Sequence, residues 1–172
     1  MDIKKYKASI SNVQNEILSD IKNHLLSIDY TVTSKNTIIK KIETIEDFKS
    51  IPNIEGFYVI FSDFKTENNI CTLKYNNTSA IYRGQSYDAK DRLKSHLINE
   101  EYVKTNPKYK RLFTTCMQIV KGTHGININY QPYNNSNWYV IVHRMEGSSE
   151  AIRELAEVAF DEIYNKPIFC RD

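Results

Sequence analysis

Two short stretches decide the fold: Gly56-Phe57-Tyr58 and Tyr82-Arg83-Gly84. Each joins a tyrosine and a glycine to an apolar run that includes β-branched residues, which is typical of a buried strand. The first strand is predicted over 56–64, and the second begins near residue 80. Paired asparagines stand near both ends of the intervening segment 65–79, which therefore predicts an inserted strand or hairpin.

The segment after the second stretch predicts a helix that runs to about Tyr102, with Asp88 or Ser86 as its N-cap. Arg92 and His96 stand four residues apart on this helix. Residues at this spacing project from one helix face, one turn apart. A permanent cation and an imidazole therefore follow directly after the second strand.

The residues before these stretches predict a helical extension over 1–50. Apolar residues recur at three- and four-residue intervals over 8–29, which predicts an amphipathic helix packed on the core. A dimer seam along the same stripe is left open. A loosely alternating run over 30–42 predicts a strand or hairpin, and Thr44 with Asp47 predicts a short helix over 45–51.

The residues after the Arg92 helix predict two more helices and one strand. Asn106 and Pro107 end the preceding helix. A helix is then expected over 108–120, a long loop over 121–137, a buried strand over 138–145, and a last helix from Ser148 or Ser149 to about Tyr164. We predict an α+β domain over 51–172, with a small mixed or antiparallel sheet flanked by helices.

Length and composition fit one globular domain. The chain has 172 residues, of which 41% are hydrophobic and 26% charged, and these values exclude a disordered or fibrous protein. No apolar run approaches the ~20 residues of a membrane-spanning helix, and we expect no signal segment. Three scattered cysteines favour a reducing, cytoplasmic location over a cysteine-based zinc site. A net charge of +2 permits a nucleic-acid partner without requiring one.

The order of the motifs resembles the GIY-YIG nuclease superfamily. Its first strand ends in Gly-Ile-Tyr, its second in Tyr-Ile-Gly, and its next helix carries an arginine; this chain has Tyr-x-Gly-Gln-Ser-x5-Arg-Leu-Lys-x-His-Leu over 82–97. A histidine one turn after the arginine is similar to the restriction-endonuclease branch. The resemblance covers about 51–170 and is more specific in its first half. It implies a Mg²⁺-dependent (or Mn²⁺-dependent) DNA endonuclease of restriction or defence type.

The resemblance also implies roles for individual residues. Tyr58 would act on the attacking water, and Tyr82 would position the phosphate or its neighbours. Arg92 would stabilise the charge of the phosphorane, because a guanidinium is permanently charged and matches phosphate geometry. His96, with an ordinary pKa of roughly 6.5, would share a proton or hold a phosphate oxygen. Arg83 stands where the family has an apolar residue, and it would either face DNA or crowd the site.

One glutamate of the last helix would bind the metal. Glu157 fits the family pattern of apolar neighbours best and is predicted at the border of the buried stripe; Glu154 is second and is predicted to face away from the core. Strict counting back from Pro167 reaches Val158, which cannot bind a metal, and Cys170 stands where the family has asparagine. A lone carboxylate with water ligands suits Mg²⁺.

Basic side chains mark the expected contacts with double-stranded DNA. They are Arg83, Lys94, Lys108, Lys110 and Arg111. The alternative is a catalytically inactive GIY-YIG-fold protein that binds nucleic acid, which the irregular C-terminal motif favours. A third interpretation rests on Tyr82-Arg83-Gly84-Gln85-Ser86, which resembles the FRG domain. The choice between DNA and RNA and a homo-oligomeric state are left open.

Overall fold

The computed structural model describes residues 1–107, 117, 119 and 125–170. Within these residues lie four α-helices and five strands. They are α1 (Ile3–Ser27), β1 (Thr37–Lys41), β2 (Gly56–Ser62), β3 (Lys74–Tyr75), β4 (Thr78–Ser86), α2 (Ala89–Leu97), α3 (Asn99–Thr105), β5 (Trp138–Arg144) and α4 (Glu150–Tyr164). Two 3₁₀ helices, Ile45–Ser50 and Tyr133–Asn135, lie in the connections. Most of the helix predicted over 108–120 and the first part of the loop predicted over 121–137 lie outside the described residues.

The strands form one antiparallel sheet in the order β1-β5-β2-β4-β3. The α+β class is therefore confirmed. Strand β2 occupies the centre, and Tyr58 lies opposite Val142 of β5 on one side and Gly84 of β4 on the other. Strand β1 falls within the predicted extension 1–50, yet it pairs with β5 as part of the same sheet.

Helices cover both faces of the sheet. All seven residues of β2 are buried, and because successive strand residues point to opposite faces, they contribute to two cores. Tyr58 and Ile60 pack towards α2, together with Leu93 of that helix. Phe57 and Phe61 pack towards α1 and α4. Tyr58 and its neighbour Phe57 thus pack into the two cores on opposite faces of the sheet.

Helix α1 packs on the body through its second half only. Its residues from Leu18 onwards contact the core beside α4, and Lys22 forms an ion pair with Glu162 of α4. The residues before Ile17 are exposed throughout. Ile3, Tyr6, Ile10 and Val13 form an apolar stripe there, with each side chain more than half exposed. The described residues contain no helix with the length and hydropathy that a membrane span requires.

The structure differs from the sequence-based expectation at Ile98. One helix was predicted from Asp88 to about Tyr102, whereas α2 and α3 are separated there by a backbone of φ −137° and ψ 51°. Residues 126–128 return to this point, and the amides of Ile126 and Ile128 donate to the carbonyls of His96 and Leu97. These carbonyls therefore bond to a distant segment, and the helix is interrupted by a contact that local sequence does not encode.

The insertion between the two signature strands is less regular than predicted. Only Lys74 and Tyr75 pair with β4, through a tight turn in which Asn76 and Asn77 adopt positive φ angles of 45° and 61°. Asparagine tolerates this conformation better than most residues. The preceding segment is held by Asn69 instead, whose Nδ2 donates to the carbonyl of Ala80 at 2.8 Å.

Candidate active site

A cleft of about 270 Å³ opens where β2 and β4 meet α2 and α4. It is lined by Tyr58, Tyr82, Gly84, Gln85, Arg92, Glu150 and Glu157. Four residues predicted as catalytic therefore come together from four separate elements. The roles assigned to these residues stay predictions, and His96, the fifth residue predicted as catalytic, does not line the cleft.

The ring of Tyr58 lies across Gly84, its partner on the neighbouring strand. A Cβ atom added at Gly84 would lie 2.5 Å from Tyr58 Oη and 2.7 Å from its Cζ. Any side chain here would displace the phenol from its present position. The glycine of the second signature is thus explained by the close approach of the first tyrosine.

His96 holds the Tyr58 hydroxyl from behind. The His96 ring is fully buried, and its Nε2 lies 2.8 Å from Tyr58 Oη. Its Nδ1 accepts a hydrogen bond from the amide of Met117 at 2.9 Å. In a neutral imidazole the other nitrogen then carries the proton, so Nε2–H donates to the phenol oxygen.

Burial fixes the charge of this histidine. Burial, with a further contribution from the positive charge of Arg92, lowers the pKa of His96 well below its ordinary value of 6.5. The ring is therefore neutral at pH 7. His96 does not line the cleft. It lies beneath Tyr58, and in this position it contacts the tyrosine and is not placed to hold a phosphate oxygen.

Three aromatic rings stiffen the floor of the cleft. The centroids of Tyr58 and Tyr82 are 6.4 Å apart, and those of Tyr82 and His96 are 4.7 Å apart. Tyr82 is 8% exposed, so its ring is packed while one edge reaches the cleft. Such contacts limit ring rotation and keep the hydroxyl groups in place.

Helix α2 brings Arg92 to the cleft. The carboxylate of Asp88 caps this helix by accepting the amide of Asp91 at 3.0 Å, and Leu93 anchors it in the core. Arg92 is half-buried beside the tyrosines. Lys94 lies further along the same helix, partly exposed and 3.5 Å from Asp91. Lys108, Lys110 and Arg111 lie outside the described residues.

Helix α4 turns one carboxylate towards the cleft. Glu157 lines it, Glu154 is exposed elsewhere, and Val158 is 44% exposed. The predicted helix phase therefore agrees with the structure. Burial raises the pKa of Glu157, and the nearby charge of Arg83 opposes that rise.

Arg83 does not face outward. Its side chain is 14% exposed, and its Nε and Nη2 donate to Asp161 at 3.1 and 2.7 Å. Its Nη1 lies 3.2 Å from Oε1 of Glu157. The guanidinium is thus shared by two carboxylates of α4, and the predicted contact of Arg83 with DNA finds no support in this placement.

Cys170 forms hydrogen bonds with the backbone of Arg83 on β4. Its Sγ accepts the amide of Arg83 at 3.2 Å and lies 3.6 Å from the Arg83 carbonyl, to which the thiol donates. Burial raises the pKa of the Cys170 thiol to about 12, so it stays protonated at neutral pH. A cysteine thus satisfies both backbone groups where the family pattern has an asparagine.

Two lining residues were missed by the sequence analysis. Glu150 stands seven residues before Glu157, a spacing that returns to nearly the same helix face and could have indicated it. Gln85 is held by buried Arg153, whose Nε donates to Gln85 Oε1 at 3.0 Å. No local pattern distinguishes that contact, since it joins β4 to α4.

The cleft offers oxygen donors for a divalent cation. Among the described residues, no group of three or more His, Cys, Asp or Glu side chains could hold a metal ion. Glu157 and exposed Glu150 are the carboxylates at the cleft. Mg²⁺ keeps several of its waters and is commonly bound by one or two carboxylates, so this donor set fits it chemically.

His143 lies on the other face of the sheet and is separate from the cleft. Its ring stacks on Phe57 at 5.6 Å, and burial lowers its pKa to about 3. A single histidine in an apolar strand predicts a core or edge residue with its polar atoms satisfied. The burial is as predicted, but neither ring nitrogen has a hydrogen-bond partner among the described residues.

Comparisons of the chain with protein-family models, with curated proteins and with solved structures gave no match.

Proposed function

We propose that this chain is a metal-dependent endonuclease that hydrolyses phosphodiester bonds of DNA. The observation that carries the proposal is the convergence of two tyrosines, an arginine and a glutamate on one cleft, with a histidine bonded to one tyrosine. Phosphodiester hydrolysis needs a group that accepts a proton from water and positive charge beside the phosphorane. The cleft contains candidates for both requirements.

Arg92 is assigned to the phosphate. Arg92 lines the cleft together with the two tyrosines and Glu157, and a guanidinium matches the geometry of phosphate oxygens. Charge that develops on these oxygens during attack would be stabilised by a cation already in place. A bound Mg²⁺ at Glu157 would add positive charge at the same phosphate.

Tyr58 is assigned to the attacking water. In the proposed reaction Tyr58 first loses its phenol proton to solvent. The water oxygen then bonds to phosphorus, the water proton passes to the Tyr58 phenolate, and the bond to the leaving oxygen breaks. Solvent returns a proton to that oxygen. His96 supports this step because its Nε2–H donates to the phenol oxygen and stabilises negative charge there. Since Nδ1 is engaged by Met117, His96 positions Tyr58 and does not itself take the proton.

A catalytically inactive nucleic-acid-binding protein is the second candidate. The observation that favours it is the ion pair between Glu157 and Arg83, because this contact already neutralises part of the charge that a metal would require. On this alternative the cleft would bind a phosphate through Arg92 without cleaving it.

Cleavage assays distinguish the two candidates. Plasmid, linear duplex, single-stranded DNA and RNA would each be incubated with Mg²⁺, with Mn²⁺ and with chelator. We expect metal-dependent cutting of duplex DNA. Binding of the same substrates without cleavage under all conditions would favour the inactive alternative. Cleavage of RNA alone would show that the substrate is RNA and not DNA.

Arg92→Ala tests the assigned role. Removing a transition-state contact should lower the cleavage rate by about 10²- to 10³-fold, with little change in the free energy of unfolding because Arg92 is only half-buried. Lys90→Ala, on the same helix but outside the cleft, is the matched control and should cleave normally. Normal cleavage by Arg92→Ala would remove this residue from the mechanism.

A further inference from the structure

The guanidinium of Arg83 contacts the carboxylate of Glu157, which lines the cleft. Alternation along β4 turns Arg83 to the face opposite Tyr82 and Gly84, towards α4. Its backbone amide is fixed by Cys170, and its side chain is mostly buried. The guanidinium therefore has a defined position and cannot swing freely into solvent.

The two carboxylates that share this guanidinium hold it unequally. Asp161 accepts two parallel hydrogen bonds, at 3.1 and 2.7 Å, which is the bidentate geometry that suits arginine. Glu157 has one contact, at 3.2 Å, and it also lines the cleft. Because they stand four residues apart on α4, both carboxylates face the same guanidinium.

We propose that Arg83 is a positioning residue that orients Glu157 and sets the affinity of the cleft for a divalent cation by competing for its carboxylate. This inference rests on the proposed nuclease function. A cation at Glu157 would share a carboxylate whose Oε1 already contacts the guanidinium, so the positive charge of Arg83 weakens its binding. Asp161 limits that competition, because it holds the guanidinium by two bonds on the side of α4.

The proposal predicts opposite effects for the two partners. Arg83→Met removes the competing charge and keeps most of the side-chain length, so Glu157 should bind a divalent cation about tenfold more tightly. Asp161→Asn removes the stronger partner and leaves the guanidinium to Glu157, so cation binding should weaken by about the same factor. A purely structural role of the ion pair would destabilise the fold in both variants without moving the affinity in opposite directions.

Mn²⁺ is the probe, because the electron paramagnetic resonance signal of the free ion reports binding to the full chain without any nucleic acid. Titrations at pH 8 would compare the wild type with Arg83→Met, Asp161→Asn and Glu157→Gln. Glu154→Gln, on the same helix and exposed, is the matched control and should leave the affinity unchanged. Arg83→Lys keeps a charge without the two-pronged geometry and should bind Mn²⁺ with intermediate affinity. Thermal unfolding of each variant verifies that it is folded. If Arg83→Met does not fold, the weaker Mn²⁺ binding expected of Asp161→Asn still tests the proposal.

Tighter binding by Arg83→Met and weaker binding by Asp161→Asn, both lost with Glu157→Gln, would support the proposal. Equal affinity in the wild type and Arg83→Met, or a shift of both variants in the same direction, would overturn it. A DNA-cleavage assay of the wild type distinguishes failure of this proposal from failure of the proposed nuclease function. Metal-dependent cleavage with unchanged Mn²⁺ affinities would refute the role of Arg83 and leave the nuclease intact, whereas absent cleavage with opposite shifts would refute the nuclease alone.

Discussion

At the scale of single residues, the cleft depends on a tyrosine that passes over a glycine. Tyr58 and Gly84 are cross-strand partners, and the phenol occupies the space that any other side chain at position 84 would fill. The hydroxyl is then fixed by His96. The position of the phenol is thus set by Gly84, and its hydrogen bonding by fully buried His96.

Gly84→Ala tests whether the position of the Tyr58 phenol matters for cleavage, because it displaces the ring without removing it. The new methyl group would push the phenol away from His96, and we expect cleavage to fall by about 10²-fold, as for other small displacements of a catalytic group. Crowding should also cost about 1–3 kcal/mol of stability. Cleavage rates and thermal unfolding would be measured together.

Ser79→Ala, on the same strand and remote from the cleft, is the control for Gly84→Ala. It should alter neither rate nor stability appreciably. Wild-type cleavage by Gly84→Ala would show that the placement of Tyr58 over Gly84 is irrelevant to the reaction.

At the scale of elements, periodic patterns predicted what lies within a helix or strand. The period of α4 placed Glu157 towards the cleft and Glu154 away from it, because one stripe of the helix must be buried. Thr44 and Asp47 form the expected capping box at the 3₁₀ helix that follows β1. These features depend on neighbours in sequence.

Contacts between distant segments could not be predicted in this way. The break at Ile98 follows from hydrogen bonds with residues 126–128, and the orientation of Arg83 follows from carboxylates of α4. The tautomer of His96 likewise depends on the amide of Met117. In each case the deciding partner lies far along the chain, where local propensity and spacing carry no information.

The exposed first half of α1 gives a prediction at this scale. Ile3, Tyr6, Ile10 and Val13 follow the alternating three- and four-residue spacing of a coiled-coil seam, and an isolated helix of this length is marginal in water. We expect a second copy of the chain to cover the stripe at high concentration, as a weak dimer. Light scattering coupled to size-exclusion chromatography would measure the mass.

Ile10→Lys should abolish this dimer by placing a charge in the seam, without affecting the fold because Ile10 is 60% exposed. Asn15→Lys adds the same charge on the opposite side of the helix and serves as the control. A monomeric wild type at all concentrations would exclude the dimer.

At the scale of the whole molecule, each face of the sheet buries one histidine. Burial lowers the pKa of His96 on one face and that of His143 to about 3 on the other. The folded chain therefore keeps both rings neutral, while the unfolded chain protonates them near pH 6.5. Their contribution to stability is complete above pH 6.5 and is lost as the pH falls towards the folded pKa values.

We expect the free energy of unfolding to fall below pH 6.5 by up to about 1.4 kcal/mol per pH unit for each of the two histidines. Urea unfolding at several pH values between 5 and 7 would measure this slope. His143→Phe, which retains a ring beside Phe57, should roughly halve it. His24→Gln removes an exposed neighbouring charge that also lowers the pKa of His143, and it should leave the slope nearly unchanged because burial is the larger cause. A slope unchanged by His143→Phe would show that His143 is not held neutral by the fold.

The distribution of the cleft residues along the chain has a consequence for biosynthesis. Tyr58, Tyr82 and Arg92 leave the ribosome well before Glu157, which lies on α4 after all five strands of the described sheet. At about 5–20 residues per second, the interval lasts several seconds. During that time the nascent chain has its tyrosines and arginine but no cleft carboxylate. On the proposed function, it could not cut nucleic acid near the ribosome until α4 had been made and had packed against β2.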